Sequence, residues 1–343
     1  MSDGMELFGI PSNPVPANAH VGSLSTPDGV TLRYARWRPT ARRNRGTICL
    51  IQGRTECIEK YFELIVELRR RGFHVLAFDL RGQGASERLL DDPRKGHVDD
   101  FDEYVTDIRT IVQEVMLPAM PAPYFAIAHS MGATALLLAL DKGLTDFSRA
   151  VLLAPLVGVV EVRYPRMAKV LAAGLDFFAL GGSYVPGGGA TALATKPFKG
   201  NKVTSDPARY QMMADLIAAH PALGLGDPTI RWVLAMFAVF DRLKDRDFGR
   251  RIATPTLMLL PTADPLCSTP AAEELAGRIR GCQMLLAPGA RHELLQERDS
   301  FRRQFHAAFN AFIPGESREA DLTQGAGDAG ETALSREPAA REA

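Results

Sequence analysis

The chain has 343 residues and a mass of 37.4 kDa, which allows one large α/β domain or two smaller domains. Its 40 Lys and Arg residues balance 40 Asp and Glu residues, so the formal net charge is zero. A nucleic-acid partner normally requires a basic excess that displaces counterions, so we expect no such partner. With 46% hydrophobic and 23% charged residues, the composition is that of a globular protein and excludes collagen-like repeats or disorder throughout.

The cysteines and the N-terminus predict a cytoplasmic protein. The four cysteines are scattered and form no Cys-x-x-Cys pair, which argues against a disulfide framework or a zinc knuckle. Residues 1–20 lack the basic segment and apolar stretch of a signal peptide. The longest uncharged apolar run, residues 150–160, is too short to cross a bilayer, although peripheral membrane contact stays open.

The first half of the chain alternates apolar strands with helices. After a flexible lead-in over residues 1–20, a turn at residues 26–29 separates two short strands, the second over residues 30–38. Strands are then predicted at 46–52, 73–79, 124–129 and 149–154, with helices at 58–71, 101–116 and 131–142. Apolar strands separated by helices predict a mostly parallel sheet that is buried on both faces.

The alternation stops at Pro155 and resumes with a strand at 256–261. A helix at 270–281, a strand at 282–287 and a last helix from about 293 to 312 complete it. The segment between is mostly helix-like and interrupted by glycines, which is typical of an insertion on top of a sheet. The predicted organisation is a lead-in, a core in two segments, a helical cap and a disordered acidic tail, over residues 1–20, 21–155 with 251–313, 156–250, and 314–343.

A serine lies where the third buried strand turns into a helix. The segment Ala128-His-Ser-Met-Gly132 resembles the G-x-S-x-G pattern, with alanine in place of the first glycine. Such a sharp turn lifts the serine clear of the sheet and requires small flanking residues, because they crowd the backbone. Alanine is the smallest substitute for glycine, so the turn stays feasible and Ser130 is the candidate nucleophile.

A serine nucleophile needs a base and a group that orients the base. Asp264 follows the strand at 256–261, and His292 follows the strand at 282–287. All three residues therefore follow the carboxyl ends of parallel strands, the edge where open α/β sheets bind ligands. An oxyanion hole also needs two backbone N–H donors, which we expect from Met131 and from Arg54 in the loop after the strand at 46–52.

At this point the chain resembles the α/β-hydrolase superfamily, and within it the branch similar to lysophospholipases and monoacylglycerol lipases. The resemblance covers roughly residues 21–313 and runs through the segments 52–56 with Tyr61, 79–86, 96–101, the serine turn and the Asp264 and His292 loops. It implies an α/β-hydrolase fold with a cap inserted before the acid-bearing strand. Gln52 departs from the pattern, because the family usually has His-Gly where this chain has Gln52-Gly53.

Each candidate also has a purely structural interpretation. Ser130 could be the N-cap of a helix, and His292 could simply lie at the start of one. Asp264 could have no role beyond forming the turn before Pro265, and Asp176 or Glu161 would then be the rival acids. His129, beside the nucleophile, is better explained as a packed neighbour, and Glu56 either orders the oxyanion loop or forms a surface salt bridge. No histidine shows paired metal-ligand spacing, so no metal is expected. The segment Gly82-Gln-Gly84 lacks the third glycine of a dinucleotide-binding motif, so no cofactor is expected either.

The insertion bears on the substrate. The segments 167–180 and 230–240 are apolar nearly all round, so they must bury against the sheet edge, each other or an acyl chain. Gly53 and His129, with Trp232 and Met236 of the second segment, are the candidate substrate contacts. Twelve Lys and Arg against eight Asp and Glu give residues 156–250 a net charge of +4, which suits an anionic headgroup or membrane surface.

The function hypothesis is a serine hydrolase that cleaves carboxylic esters, with lysophospholipid or monoacylglycerol as substrate. His292 would take the proton of Ser130, Asp264 would hold the imidazole, and the amides of Arg54 and Met131 would bind the oxyanion. Acyl transfer or peptide hydrolysis with the same residues is the alternative, and a catalytically silent binding module is a third. The oligomeric state is not indicated by the sequence.

Overall fold

A computed structural model describes residues 5–160 and 165–314. Its centre is a single eight-stranded sheet in the order β1-β2-β4-β3-β5-β6-β7-β8. The strands are β1 (His20–Ser25), β2 (Thr31–Trp37), β3 (Thr47–Ile51), β4 (His74–Phe78), β5 (Tyr124–His129), β6 (Arg149–Leu153), β7 (Thr256–Pro261) and β8 (Cys282–Ala287). Each predicted strand is present within two residues of its predicted bounds.

The sheet is parallel from β4 to β8, and antiparallel where β1 pairs with β2 and β2 with β4. Since β3 is buried along its whole length, its apolar run contacts helices on both faces of the sheet. One apolar layer lies between the sheet and the helices at Asp102–Ile111 and Ser130–Asp141. The other lies between the sheet and the helices at Phe62–Arg70 and Asp299–Phe312. The predicted mostly parallel, doubly covered sheet is confirmed.

The helices of the core follow the predicted order. They are α1 (Phe62–Arg70), α2 (Asp102–Ile111), α3 (Ser130–Asp141), α7 (Thr269–Ala276) and α8 (Asp299–Phe312). The last helix begins six residues later than predicted, after a single 3₁₀ turn at Leu294–Gln296. The helix is delayed because Glu297 is extended, and its carboxylate accepts hydrogen bonds from the N–H groups of Ser205 and Arg291 at 3.0 and 3.1 Å.

Among the described residues between β6 and β7, where the sequence predicts the insertion, lie the α-helices α4 (Pro165–Phe177), α5 (Pro207–Ala219) and α6 (Ile230–Leu243). The apolar side of α6 packs into the layer that contains α2 and α3, as predicted for this segment. The expectation that the apolar side chains of this segment are buried against the rest of the chain is wrong for α4. Val170 is 72% exposed and Phe177 is 84% exposed, because α4 touches its neighbours along one side only and turns these side chains outward.

The described part of the lead-in, residues 5–20, is packed against the core by hydrogen bonds. Phe8 N–H donates to Glu59 at 3.1 Å, and the side chain of buried Asn13 donates to the Glu59 carbonyl at 2.9 Å. The indole of Trp37 donates to the Pro16 carbonyl at 3.1 Å. These polar contacts hold a segment that has little apolar periodicity, so sequence pattern alone does not reveal them.

Residues 315–343 of the predicted tail and the rival acid Glu161 lie outside the described residues. Across the described ranges, none of the helices combines the length and apolarity required to cross a bilayer.

The turn between β5 and α3 brings the start of the helix very close to the end of β3. Ser130 has a φ of 49°, the left-handed conformation that lifts a side chain out of a strand-to-helix turn. A Cβ on Gly132 would lie 2.1 Å from the Gln52 carbonyl oxygen, so only glycine fits this position. Ala128, by contrast, is fully buried within β5, where its methyl group is accommodated.

We predict that Gly132→Ala disrupts this turn. The added methyl would force the start of α3 away from β3, so we expect any turnover that depends on Ser130 to fall at least about 100-fold and the free energy of unfolding to fall by roughly 2 kcal/mol or more. Chemical unfolding and steady-state kinetics would measure both effects. Gly174→Ala in α4 is the matched control, because a Cβ there meets nothing within 4 Å and helix propensity favours alanine. A Gly132→Ala protein that behaves like this control would refute the proposed constraint.

Candidate active site

The structure brings Ser130, His292 and Asp264 into one hydrogen-bonded chain. The Oγ of Ser130 lies 3.0 Å from Nε2 of His292, and Nδ1 of His292 lies 2.7 Å from Oδ2 of Asp264. A serine is placed at the start of α3, an acid in the loop after β7, and a histidine in the loop after β8. Because these are carboxyl ends of parallel strands at one edge of the sheet, the fold itself aligns the three side chains.

The environment of Asp264 fixes the proton positions. Burial would raise the pKa of Asp264, but the hydrogen bond from His292 and those from the N–H groups of Leu266 and Cys267 hold the pKa below its ordinary value. The ionised carboxylate can only accept, so Nδ1 of His292 donates to it. Nε2 then carries the lone pair that accepts the Ser130 hydroxyl proton, which is the arrangement that activates a serine.

Of the two rival acids, the structure places Asp176 in an ion pair with another residue. Asp176 pairs with Arg231 at 3.0 Å and joins α4 to α6. Glu161 lies outside the described residues, as stated above. The hydrogen bond from His292 to Asp264 therefore favours Asp264 as the orienting acid.

The buried carboxylate of Glu56 organises the loop after β3. Its Oε2 accepts hydrogen bonds from Gly53 N–H and the Tyr61 hydroxyl, both at 2.5 Å, while its Oε1 accepts from Lys60 and His129, both at 2.8 Å. Burial would raise the pKa of Glu56, but Lys60 and His129 outweigh it and hold that pKa well below its ordinary value. Glu56 thus orders the loop from inside, and the alternative of a surface salt bridge is wrong.

His129 is a charged neighbour of the nucleophile. Its Nδ1 faces the Glu56 carboxylate at 2.8 Å and its Nε2 faces the His292 carbonyl at 3.2 Å. Both partners are acceptors, so both ring nitrogens carry hydrogen and the ring is an imidazolium. Burial lowers the pKa of His129, but Glu56 raises it further, which gives a net increase. The ring therefore links the Glu56 loop to the backbone of His292 itself.

The two expected oxyanion donors belong to the start of α3 and to the loop after β3. Met131 is the second residue of α3, and N–H groups in the first turn of a helix have no acceptor within it. Arg54 follows Gly53, whose own N–H is committed to Glu56. The side chain of Arg54 donates to the Gly226 carbonyl at 2.5 Å and lies over the Trp232 ring at 5.4 Å, so it also ties this loop to the insertion.

Gln52, the departure from the family pattern, belongs to a buried polar network. Its Nε2 donates to Asp79 at 2.7 Å, and Asp79 also accepts from Arg33 at 2.7 Å and from Ala85 N–H at 2.9 Å. Asp79 therefore braces the loop after β4. The Gln52 side chain is therefore fully buried and held by Asp79.

A cavity of about 320 Å³ opens at Ser130. His129, Trp232 and Met236 line it, as the sequence predicts, whereas Gly53 is absent from its described walls. Arg54, Glu56 and Glu293 add charged groups to its walls. The apolar lining residues come from the loop after β6, the insertion and the loop after β7, namely Leu156, Val159, Leu193, Val203, Pro228 and Leu266. A wall of this kind accommodates a hydrocarbon chain beside a nucleophile.

Sequence reasoning missed Cys267, which lies three residues after Asp264. Its thiol belongs to the same cluster as the catalytic candidates, because ligand atoms of Cys267, Asp264 and His292 all lie within 4.8 Å of one another. Burial, followed by the charge of Asp264, raises the pKa of Cys267 well above its ordinary value. The sulfur therefore stays protonated next to Ser130, and the serine is the better activated nucleophile of the two.

The fold and the hydrogen-bonded chain define a serine hydrolase of the α/β-hydrolase class. The chain belongs to the serine aminopeptidase S33 family of hydrolases, whose model matches residues 42–299.

Curated relatives include lysophospholipase L2 of Escherichia coli K12, which is 32% identical over 299 residues, covering 83% of this chain and 85% of the relative. A probable lysophospholipase L2 of Haemophilus influenzae is 30% identical over 269 residues, covering 78% and 84%. The mouse monoglyceride lipase is 26% identical over 278 residues, covering 80% and 84%.

Solved structures confirm the α/β-hydrolase fold. A soluble variant of monoglyceride lipase from Saccharomyces cerevisiae, in complex with a substrate analogue, superposes with a TM-score of 0.68 at 19% identity, covering 88% of this chain and 98% of the other. A carboxyl esterase from Bacillus coagulans in complex with glycerol gives 0.67 at 18% identity, covering 87% and 98%.

We predict that Glu56→Gln lowers both stability and kcat. The substitution removes the charge that balances His129, while Lys60 keeps a second partner, Glu293, at 2.7 Å. We expect a loss of about 3 kcal/mol at pH 7 and a fall in kcat, because the Arg54 loop loses its anchor. Urea unfolding and ester turnover would measure these effects, with exposed Glu114→Gln as the control.

The lowered pKa of Glu56 predicts how the effect of Glu56→Gln on stability depends on pH. Because the folded-state pKa of Glu56 lies well below its ordinary 4.5, its contribution to stability is present above about pH 4.5 and is lost as the pH falls through the folded-state pKa. The stability difference between the native protein and Glu56→Gln should therefore shrink below about pH 4. A difference that stays constant from pH 7 to pH 3 would mean that the carboxylate charge is not the stabilising feature.

Proposed function

We propose that this protein hydrolyses the carboxylic ester of lysophospholipids or monoacylglycerols through an acyl-enzyme on Ser130. The observation that carries the proposal is the chain from Ser130 to His292 to Asp264 at the mouth of a mainly apolar cavity. The names of the bacterial and mammalian relatives support the same substrate class.

In the proposed mechanism, Nε2 of His292 takes the Ser130 proton as Oγ attacks the ester carbonyl. The amides of Arg54 and Met131 bind the oxygen that becomes negative, and one such donor contributes roughly 3 kcal/mol to lowering the barrier. His292 then gives its proton to the departing glyceryl oxygen. Water deprotonated by His292 releases the fatty acid and restores Ser130.

Residues 156–250 act in this proposal as a cap on the core formed by residues 21–155 and 251–313. Bridges between backbone segments support the assignment, since Gly96 pairs with Pro228 and Val159 pairs with Cys267. These bridges join the cap to loops at the carboxyl edge of the sheet. Trp232 and Met236 from α6 then supply substrate contacts from above the nucleophile.

Peripheral membrane contact through α4 is part of the proposal. The outward side chains of α4 and its C-terminal end form a large exposed apolar patch, and apolar groups of this size are rarely left in water without a partner. The residues are Met167, Val170, Leu171, Phe177 and Phe178.

A location in the cytoplasm is also proposed, supported by the free state of the four cysteines.

Replacing the nucleophile tests the catalytic assignment. Ser130→Ala should lower turnover of p-nitrophenyl butyrate by at least about 10⁴-fold while thermal unfolding stays near that of the native protein, because only the nucleophilic oxygen is removed. A fluorophosphonate probe should label the native protein and not the variant. Exposed Ser25→Ala is the control. Substantial turnover by Ser130→Ala would rule out the acyl-enzyme.

Replacing the exposed phenylalanines tests the membrane contact. The double variant Phe177→Ser with Phe178→Ser should bind phosphatidylglycerol vesicles at least about 10-fold more weakly, because the apolar area available for insertion is reduced. Turnover of p-nitrophenyl butyrate should be unchanged. Met284→Ser, on the exposed edge strand β8, is the control for removing a surface apolar side chain elsewhere. Equal vesicle binding by all three proteins would contradict the contact.

A further inference from the structure

A second cavity of about 540 Å³ adjoins the cavity at Ser130. Five residues line both: Thr55, Leu193, Val203, Leu266 and Glu293. The two spaces therefore form adjoining compartments with one shared wall. We call the space at Ser130 the apolar compartment and the second space the basic compartment.

The basic compartment contains more cations than acids. Lys60, Lys196, Lys199, Lys202 and Arg209 line it, against only Asp227 and Glu293 among its described walls. This imbalance is local, because the chain as a whole has no net charge. A concave surface with a net positive charge concentrates anions.

Lys196 and Lys199 are the cations that can accept a new partner. Both are exposed, and neither forms an ion pair with another described residue. Arg209, in contrast, already donates to Glu63, Asp206 and Asp299. An incoming anion can therefore pair with these two lysines without displacing a described carboxylate.

Lys60 adds a buried cation to the same compartment. Its ammonium group pairs with Glu56 at 2.8 Å and with Glu293 at 2.7 Å. An ammonium has three N–H groups, so these two contacts leave one donor. Because its two partners are carboxylates, Lys60 contributes less to the net field than Lys196 or Lys199.

The segment that carries the two lysines is held in place beside the histidine loop. The hydroxyl of Tyr210 donates to the Lys196 carbonyl at 2.9 Å, and the side chain of Asn201 accepts from the N–H of Val203 at 3.0 Å. Arg291 donates to the Asn201 carbonyl at 3.2 Å, and Glu293 N–H donates to the Val203 carbonyl at 2.8 Å. The residues on either side of His292 thus fix the lysine segment, so a group bound there stays at a set position relative to the nucleophile.

We propose that the basic compartment binds the phosphate of a lysophospholipid headgroup, with Lys196 and Lys199 as specificity-determining residues. This inference rests on the proposed function. The acyl chain lies in the apolar compartment, the ester carbonyl lies at Ser130, and the headgroup extends into the basic compartment. The enzyme accordingly prefers lysophospholipids with a net negative headgroup to monoacylglycerols, which have no charge for the lysines to bind.

Soluble substrates test the preference without a membrane surface. The native protein should hydrolyse octanoyl lysophosphatidylglycerol, below its micelle concentration, with a kcat/KM at least about 10-fold above that of monooctanoylglycerol. The double variant Lys196→Glu with Lys199→Glu should lose this advantage, while kcat/KM for monooctanoylglycerol stays within about twofold. The advantage of the native protein should also decrease as ionic strength rises, because salt screens exposed charges.

Lys244→Glu with Arg250→Glu is the matched control. Both residues are cap cations, exposed by 75% and 70%, that do not line either compartment. This control changes the overall charge as much as the test variant does and should retain the preference. If the control loses it equally, the preference comes from general charge and the assigned site is wrong.

Competition distinguishes a headgroup site from a site for free phosphate. Glycerol 3-phosphate should inhibit monooctanoylglycerol hydrolysis competitively and should bind at least about fivefold more tightly than inorganic phosphate, because the glycerol points toward Ser130. Both should bind more weakly to the Lys196→Glu, Lys199→Glu variant. Stronger inhibition by inorganic phosphate would indicate a small-anion site and overturn the headgroup assignment.

The failure of this inference can be told apart from failure of the proposed function. If the fluorophosphonate probe labels Ser130 and p-nitrophenyl butyrate is hydrolysed, the hydrolase assignment stands whatever the headgroup result. Equal kcat/KM for charged and neutral substrates in that active protein would overturn the headgroup site alone. Loss of all turnover in the Lys196→Glu, Lys199→Glu variant would also overturn the headgroup site, because it would show that the two lysines are needed for hydrolysis of every substrate.

Discussion

The buried carboxylate of Glu56 is the interaction on which the arrangement of the site depends. It accepts hydrogen bonds from the loop after β3 and from His129, which precedes the nucleophile, and His129 in turn contacts the backbone of His292. Through Lys60 it is also linked to Glu293 on the other side of that histidine. One carboxylate thereby joins the ends of three strands that are far apart in sequence.

The buried carboxylate of Glu56 stays ionised only because both of its oxygens have hydrogen-bond partners. Two cations, one hydroxyl and one backbone N–H surround Glu56, so its oxygens are saturated although the side chain is buried. The cost of burying the group is offset only in the correctly assembled site. The network therefore stabilises the active geometry specifically, whereas the apolar layers on the two faces of the sheet stabilise the fold in general.

Much of the fold was predictable because its signals are local. Buried strands such as 124–129 and 282–287 are apolar runs bounded by turns, and the catalytic candidates follow those strands directly. The sheet then brings Ser130, Asp264 and His292 together without further information, since parallel strands end at one edge. The bounds of the last helix were less accurate, because Glu297 interrupts it through contacts with residues distant in sequence.

The features that the sequence did not reveal depend on distant partners. Nothing near Glu56 in the chain indicates His129, and nothing near Cys267 indicates that its thiol would lie beside Ser130. The packed lead-in depends on hydrogen bonds to Glu59, and the exposure of α4 depends on which of its sides meets α6. Periodicity identifies an apolar helix, but it does not distinguish a helix buried in protein from one whose apolar side faces outward.

Backbone conformation along the carboxyl edge of the sheet has a consequence for stability. Thr55, Ser130 and Ala154 follow three neighbouring strands, β3, β5 and β6, and each has a positive φ although none is glycine. A side chain in this region costs on the order of 1 kcal/mol, so conformational strain is concentrated where the reaction is proposed to occur. Attempts to make the protein more heat-resistant should therefore leave this edge unchanged and target the opposite end of the sheet, which takes no part in the proposed reaction.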